Sequence, residues 1–175
     1  MLAATVAALL SPVPYWLTGV VAAVAMWLAV GPAGRREGAA SLVPWHALLL
    51  AATLSAAASL ALHLETVAAA VGHLDGAHPG AIAAAGAVAA NGINNLPAFL
   101  ALEPAAGSPA GVMALLIGVN VGPVVTPWAS LATLLWADQL KRAGAAVPWS
   151  HFILWGAVLA PAAVTAATAA LLATG

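Results

Sequence analysis

Five stretches of this chain, residues 13–30, 44–64, 80–102, 112–136 and 149–172, contain no aspartate, glutamate, lysine or arginine. About 20 apolar residues span the hydrocarbon core of a bilayer, so each stretch has the length of a membrane segment. A soluble domain carries about 25% charged residues to wet its surface, and here only 5% are charged while 64% are hydrophobic. With a mean hydropathy of +1.05, the chain reads as an all-α integral membrane protein lying in a lipid bilayer. The net charge of −1 gives no reason to expect a nucleic-acid partner. The absence of cysteine excludes disulfides and thiolate metal sites. No Ser-His-carboxylate grouping and no Gly-rich phosphate loop suggests an enzyme, so no catalytic residue and no cofactor is expected.

The first ten residues are too short to cross. They rise about 15 Å as a helix before meeting Ser11, Pro12 and Pro14, which stop it. No basic residue precedes them, so they do not read as a secretory signal. The chain reads as starting inside a spanning helix. We therefore expect a single membrane domain over 1–175 that is truncated at its N-terminus.

The loops between segments, "GPAGRREG", "LETVAAAVGHLDGAHPG", "EPAAGSPAG" and "DQLKRAGAAVP", hold the charge. Trp16, Trp27, Trp45, Trp136 and Trp149 fall near segment ends, where an interfacial belt places them. The basic residues are Arg35 and Arg36 in one loop, Lys141 and Arg142 in another. The positive-inside tendency puts loops 31–43 and 138–148 on the cytoplasmic side and the C-terminus outside. An even number of crossings must separate the two loops, yet three apolar segments lie between. One of the three must turn back.

The segment with a reason to do so contains "NGINNLP". Residues 80–90 make one arm of about 16 Å, half the membrane. Asn91 to Asn95 make the turn, and Leu96 to Leu102 return. We expect a re-entrant hairpin over 80–103, its tip buried in protein or lining a wet cavity. The next segment, 112–136, is expected to cross in two pieces. Pro123 and Pro127 lack N–H groups, Gly118 and Gly122 loosen the same turns, and Asn120 adds an amide. Thr126 before Pro127 reads as the N-cap of a second half-helix. Two interrupted elements at matched depth, each presenting a half-helix N-terminus near Asn95 and near Thr126, are the sequence pointer to a secondary-transporter site. Candidate solute or ion ligands are Asn91, Asn94, Asn95, Asn120, Thr126 and Ser130. Pro97, Gly118, Gly122, Pro123 and Pro127 shape the breaks. The plainer reading of the asparagines is hydrogen bonding between helices, and of Thr126 and Ser130, capping. His73, Asp75 and His78 lie close in sequence without helical ligand spacing, so no metal site is expected there.

"NNLPAFLAL", "IGVNVGP", "TPWASLATLLW" and "VPWSHFILWG" resemble, in order and spacing, the C-terminal half of arsenical-pump membrane proteins. These are members of the ion-transporter superfamily, with its sodium-coupled carboxylate carriers, citrate-transporter-like permeases and sodium/proton antiporters. The resemblance covers roughly residues 10 to 175. It implies the second of two inverted repeats: four to five transmembrane helices, a re-entrant hairpin and a broken helix. The other half would come from a longer product, a second protomer or a homodimer mate. It also implies arsenite or antimonite export across the inner membrane, Na⁺ or H⁺ as coupling ion, and an arsenical ATPase as a partner on the cytoplasmic loops. By the same resemblance Asn94, Asn95 and Pro97 match the hairpin tip, and Gly118 to Ser130 the unwound helix. Three departures stand out. Val119-Asn120 replaces the family's Cys-Asp, Val125 replaces a lysine, and Trp128-Ala129-Ser130 replaces Ile-Gly-Ser. Losing the aspartate removes the natural intramembrane proton carrier. That keeps two alternatives open: a Na⁺-coupled carboxylate or Na⁺/H⁺ carrier of the same superfamily, and a non-transporting membrane subunit.

Overall fold

The computed structural model describes residues 2–29 and 45–174. Every regular element among them is helical, and the chain divides into two compact units, Met1–Pro44 and Trp45–Gly175. The first unit holds α1 (Leu2–Leu9) and α2 (Tyr15–Ala29). The prolines separate them as expected: Ser11 Oγ donates to the Ala8 carbonyl at 2.6 Å, occupying one of the carbonyls freed at the end of α1. Pro14 then opens α2 by accepting from the N–H of Leu17 at 3.0 Å. Arg35, Arg36 and the loop expected over 31–43 lie outside the described residues.

The second unit runs α3 (Trp45–Ala61), α4 (Glu65–Gly72), α5 (Pro79–Ile93), α6 (Asn95–Leu102), a 3₁₀ turn (Glu103–Ala106), α7 (Pro109–Val121), α8 (Leu131–Arg142) and α9 (Trp149–Thr174). Among the described residues, only α9, at 26 residues, is long and apolar enough to cross a bilayer alone. It rises about 39 Å, whereas α5 and α7 are shorter apolar helices of 15 and 13 residues. Both shorter helices start the same way. His78 accepts from the N–H of Gly80 ahead of Pro79, and Ser108 accepts from Gly111 ahead of Pro109. Proline in the first turn removes an N–H that no carbonyl would have taken.

The core of this unit is the contact between α5 and α7, and small residues make it possible. A side chain at Gly118 would collide with the Ala83 carbonyl, and one at Gly122 with Ala87. Gly86 sits against Leu115 and Val119. In lipid, helices gain nothing from hiding apolar surface from each other, so close backbone approach supplies the packing. Because 83 meets 118 and 87 meets 122, α5 and α7 run parallel. Their C-terminal ends therefore arrive together, and both interruptions fall at one place. Helix α6 turns back from there onto α5, α7 and α3, while α9 packs on α7 and α5.

Two boundaries differ from the sequence reading. The hairpin does not turn over 91–95: α5 continues to Ile93 and only Asn94 leaves the helix. The first arm is therefore about 22 Å long. Asn91 stays helical because its amide donates back to the Ala87 carbonyl at 2.8 Å. In the second element the non-helical segment covers residues 122–130, and its exit cap is Ser130, not Thr126. Thr126 caps no helix there: its N–H and hydroxyl both donate to Asn91, and the helix starts only at Leu131.

Candidate functional site

A helix end in hydrocarbon must find partners for its last carbonyls and first N–H groups within the protein. Here the two interruptions supply one another. At the end of α5, the Ala90 carbonyl accepts from the N–H of Asn94 at 2.9 Å. The Asn91 carbonyl accepts from the Thr126 hydroxyl at 2.7 Å, and the Gly92 carbonyl from the Trp128 indole at 3.2 Å. At the start of α6, the Asn95 N–H donates to the Ala129 carbonyl at 2.8 Å and the Ala98 N–H to the Asn94 carbonyl at 3.1 Å. The Leu96 N–H donates to Asn94 Oδ1 at 3.3 Å. Pro97 has no N–H to satisfy.

Two asparagines tie the unwound segment to the hairpin. Asn91 Nδ2 donates to Ala87 and, at 2.9 Å, to the Gly122 carbonyl. Its Oδ1 accepts from the N–H groups of Val125 at 3.1 Å and Thr126 at 3.0 Å. An amide offers two donors and two acceptor sites, so Asn91 has none left. Asn94 Nδ2 donates to the Trp128 carbonyl at 2.7 Å, and the residue is 1% exposed. Its backbone has φ 85 and ψ 150, a region that belongs essentially to glycine and costs about 1–3 kcal/mol for other residues. The side chain explains why asparagine stands there: glycine would relax the backbone but could hold neither Trp128 nor Leu96.

The other candidates are placed differently. Asn95 is half-buried at the first position of α6, and no hydrogen bond to its side-chain amide occurs among the described residues. Ser130 caps α8 by accepting from the Ala132 N–H at 3.2 Å, which leaves its hydroxyl proton to give. The Asn95–Ala129 bond sets these two residues beside each other, so the N-termini of α6 and α8 abut. Each helix N-terminus carries partial positive charge, and the two lie together here. Asn120 does not join them: it is exposed on α7 and donates to its own helix at Leu116, 2.9 Å away. Pro97 is fully buried in the first turn of α6. Gly118 and Gly122 make the close approach to α5, and Pro123 and Pro127 lie in the unwound segment.

Three features of the site escape a sequence reading. The indole of Trp128 caps α5, half exposed at 45%. Helix α9 touches the unwound segment at Gly156, where any side chain would strike Val124. A cavity of about 500 Å³ lies between α5, the unwound segment and α9, lined by Ala87, Asn91, Val125, Ala160, Pro161 and Thr165 among others. Gly156 could have been suspected from the small residues of the last segment; nothing in the sequence points to the indole.

The pattern of the arsenical pump membrane protein family matches residues 48–172, which include the hairpin, the unwound segment and α9. The chain belongs to this family. Arsenical pump membrane proteins of Escherichia coli are 35% identical over 75 residues, 38% of this chain. Those of Shigella flexneri and Yersinia enterocolitica are 33% identical over the same length. The matched stretch covers 18% of the length of each of these relatives. No solved structure matches the chain. Family membership and the apolar helices identify a membrane protein of a transport family.

Proposed function

We propose that the chain carries the hairpin half of a secondary transporter that exports arsenite or antimonite across the inner membrane. The observation that carries this reading is the 2.8 Å bond from Asn95 to Ala129, which brings two half-helix N-termini to one point. The polar groups still open there, the Asn95 amide and the Ser130 hydroxyl, suit a small neutral hydroxide. As(OH)₃ can donate to Asn95 Oδ1 and accept from Asn95 Nδ2 and from Ser130, while the two helix dipoles stabilise its polarised oxygens. No covalent step is needed, and a site of amides and hydroxyls releases its solute more readily than thiolates would. In this reading the loops over 31–43 and 138–148 face the cytoplasm. Lys141 and Arg142, in the last turn of α8, supply the second cytoplasmic signal. The remaining half of the site, the coupling ion (Na⁺ or H⁺) and any arsenical ATPase would come from outside these residues.

Arsenite efflux from arsenite-sensitive cells expressing the gene tests the reading. Resistance should rise, and Asn95→Ala should raise KM about tenfold, the loss of one or two hydrogen bonds, at unchanged membrane abundance. Unchanged resistance would remove the metalloid solute. A second reading, Na⁺-coupled carboxylate transport, is favoured by one observation: Asn120, an amide, stands where the resemblance places an acid. Sodium-dependent uptake into vesicles separates the two, and uptake indifferent to Na⁺ counts against the second.

A further inference from the structure

Asn91 belongs to the polar tip of the hairpin by sequence, and the solute-site reading makes it a ligand. Its hydrogen bonds assign it elsewhere. Both amide protons and both acceptor sites are engaged, three of the four bonds reaching residues 31 to 35 positions away in sequence: the Gly122 carbonyl and the N–H groups of Val125 and Thr126. The fourth returns to Ala87, and the Thr126 hydroxyl closes the loop onto the Asn91 carbonyl. A solute could use Asn91 only by breaking a bond whose partner would be left bare in hydrocarbon, which costs more than the contact returns. We infer that Asn91 is the positioning residue of the site: it holds the unwound segment in register against α5 and leaves solute contact to Asn95 and Ser130. This deepens the transporter reading and rests on it only for the link to solute.

The chain has no cysteine, so one reporter can be placed without background. Val125 lines the cavity beside Asn91, and Val125→Cys can be alkylated there by a small membrane-permeant maleimide. In the chain as its gene encodes it, Asn91→Ala should speed alkylation about tenfold, the opening expected from losing a well-made hydrogen-bond set. Asn91→Asp keeps the acceptors for Val125 and Thr126 and should restore most of the protection. Thr126→Val, which removes only the hydroxyl bond, should give a smaller acceleration, and Asn95→Ala none. An alkylation rate unchanged by Asn91→Ala, or raised as much by Asn95→Ala, overturns the positioning role. Should Asn91→Ala not reach the membrane, Asn91→Asp and Thr126→Val decide: parental rates in both also overturn it. These labelling rates involve no solute, so they decide what Asn91 does whether or not the chain exports arsenite, which the efflux assay decides separately.

Discussion

The two interruptions solve the same problem in opposite ways. The hairpin breaks at one residue, Asn94, which itself bonds Ala90, Leu96 and Ala98 through its N–H, side-chain oxygen and carbonyl and leaves the Asn91 and Gly92 carbonyls and the Asn95 N–H to the other element. The second element is unwound over residues 122–130 and contains Pro123 and Pro127, which cannot donate. Ser130, at the exit, caps from within, and the backbone closes two short bonds of its own, Val124 to Gly122 and Ala129 to Thr126. The hairpin supplies the Gly122 and Trp128 carbonyls and the Val125 and Thr126 N–H groups with partners, through the Asn91 and Asn94 amides. A break in lipid can thus be compact and strained or extended and dependent. The dependent one lies where the transporter reading places the solute. Both rest on the parallel contact of α5 with α7, so the first way to break the comparison is to separate those helices.

Gly118→Leu should have the largest effect. The added side chain meets the Ala83 backbone, which cannot move aside as a flexible side chain would. Overpacking of this kind costs about 1–3 kcal/mol and more against backbone, so we expect loss of membrane-inserted, folded chain in detergent thermal melts. Gly92→Ala is the control. No atom lies within 4 Å of its added carbon, and alanine is the better helix former by about 1 kcal/mol. Its melting point should hold or rise.

Asn94 separates strain from bonding. Asn94→Ala loses the bonds to Trp128 and Leu96 and keeps the unfavourable φ of 85, for an expected loss of about 3 kcal/mol. Asn94→Gly loses the same bonds but relaxes the backbone, and should recover about half of that. Melts in which the two variants fall equally would show that the strain is not felt and that the Asn94 side chain stabilises the break through its bonds alone. Ser130→Ala tests the one capping group the unwound segment owns. A lost N-cap costs about 1 kcal/mol, so its melting point should drop less than that of Asn94→Ala. A larger drop would mean that the second element depends on itself more than its bonds suggest.

These contrasts were only partly legible in the sequence. That two polar interruptions meet was readable, because amides and prolines inside apolar runs have few places to go. The glycines at 118 and 122 were readable as loosened turns, yet they serve as the close contact that aligns the breaks. Turn boundaries were not readable. Local rules favour Thr126-Pro127 as a helix start, but a partner 35 positions earlier in the chain takes that threonine's hydroxyl and N–H. Asn91 likewise looks equivalent to Asn94 and Asn95 in sequence. Only the parallel approach of α5 and α7 decides that its amide reaches the unwound segment, that Asn94 bridges to Trp128, and that the Asn95 amide bonds to neither.

Asn120 closes the series with the smallest expected effect and the sharpest contrast to Asn91. Both are asparagines on apolar helices within one turn of a break, and both donate to the carbonyl four residues back, Ala87 for one and Leu116 for the other. Asn91 adds bonds that cross to the other element; Asn120 adds none and is exposed. Asn120→Ala should therefore shift stability by no more than about 0.5 kcal/mol, the range of a surface change. That leaves transport as its informative readout. If arsenite efflux falls while the melt is unchanged, the amide faces solute from the α7 side, and the site extends beyond the two abutting helix ends. If neither changes, the resemblance-based assignment of Asn120 fails and the polar groups of the second element that matter are confined to its unwound stretch and Ser130.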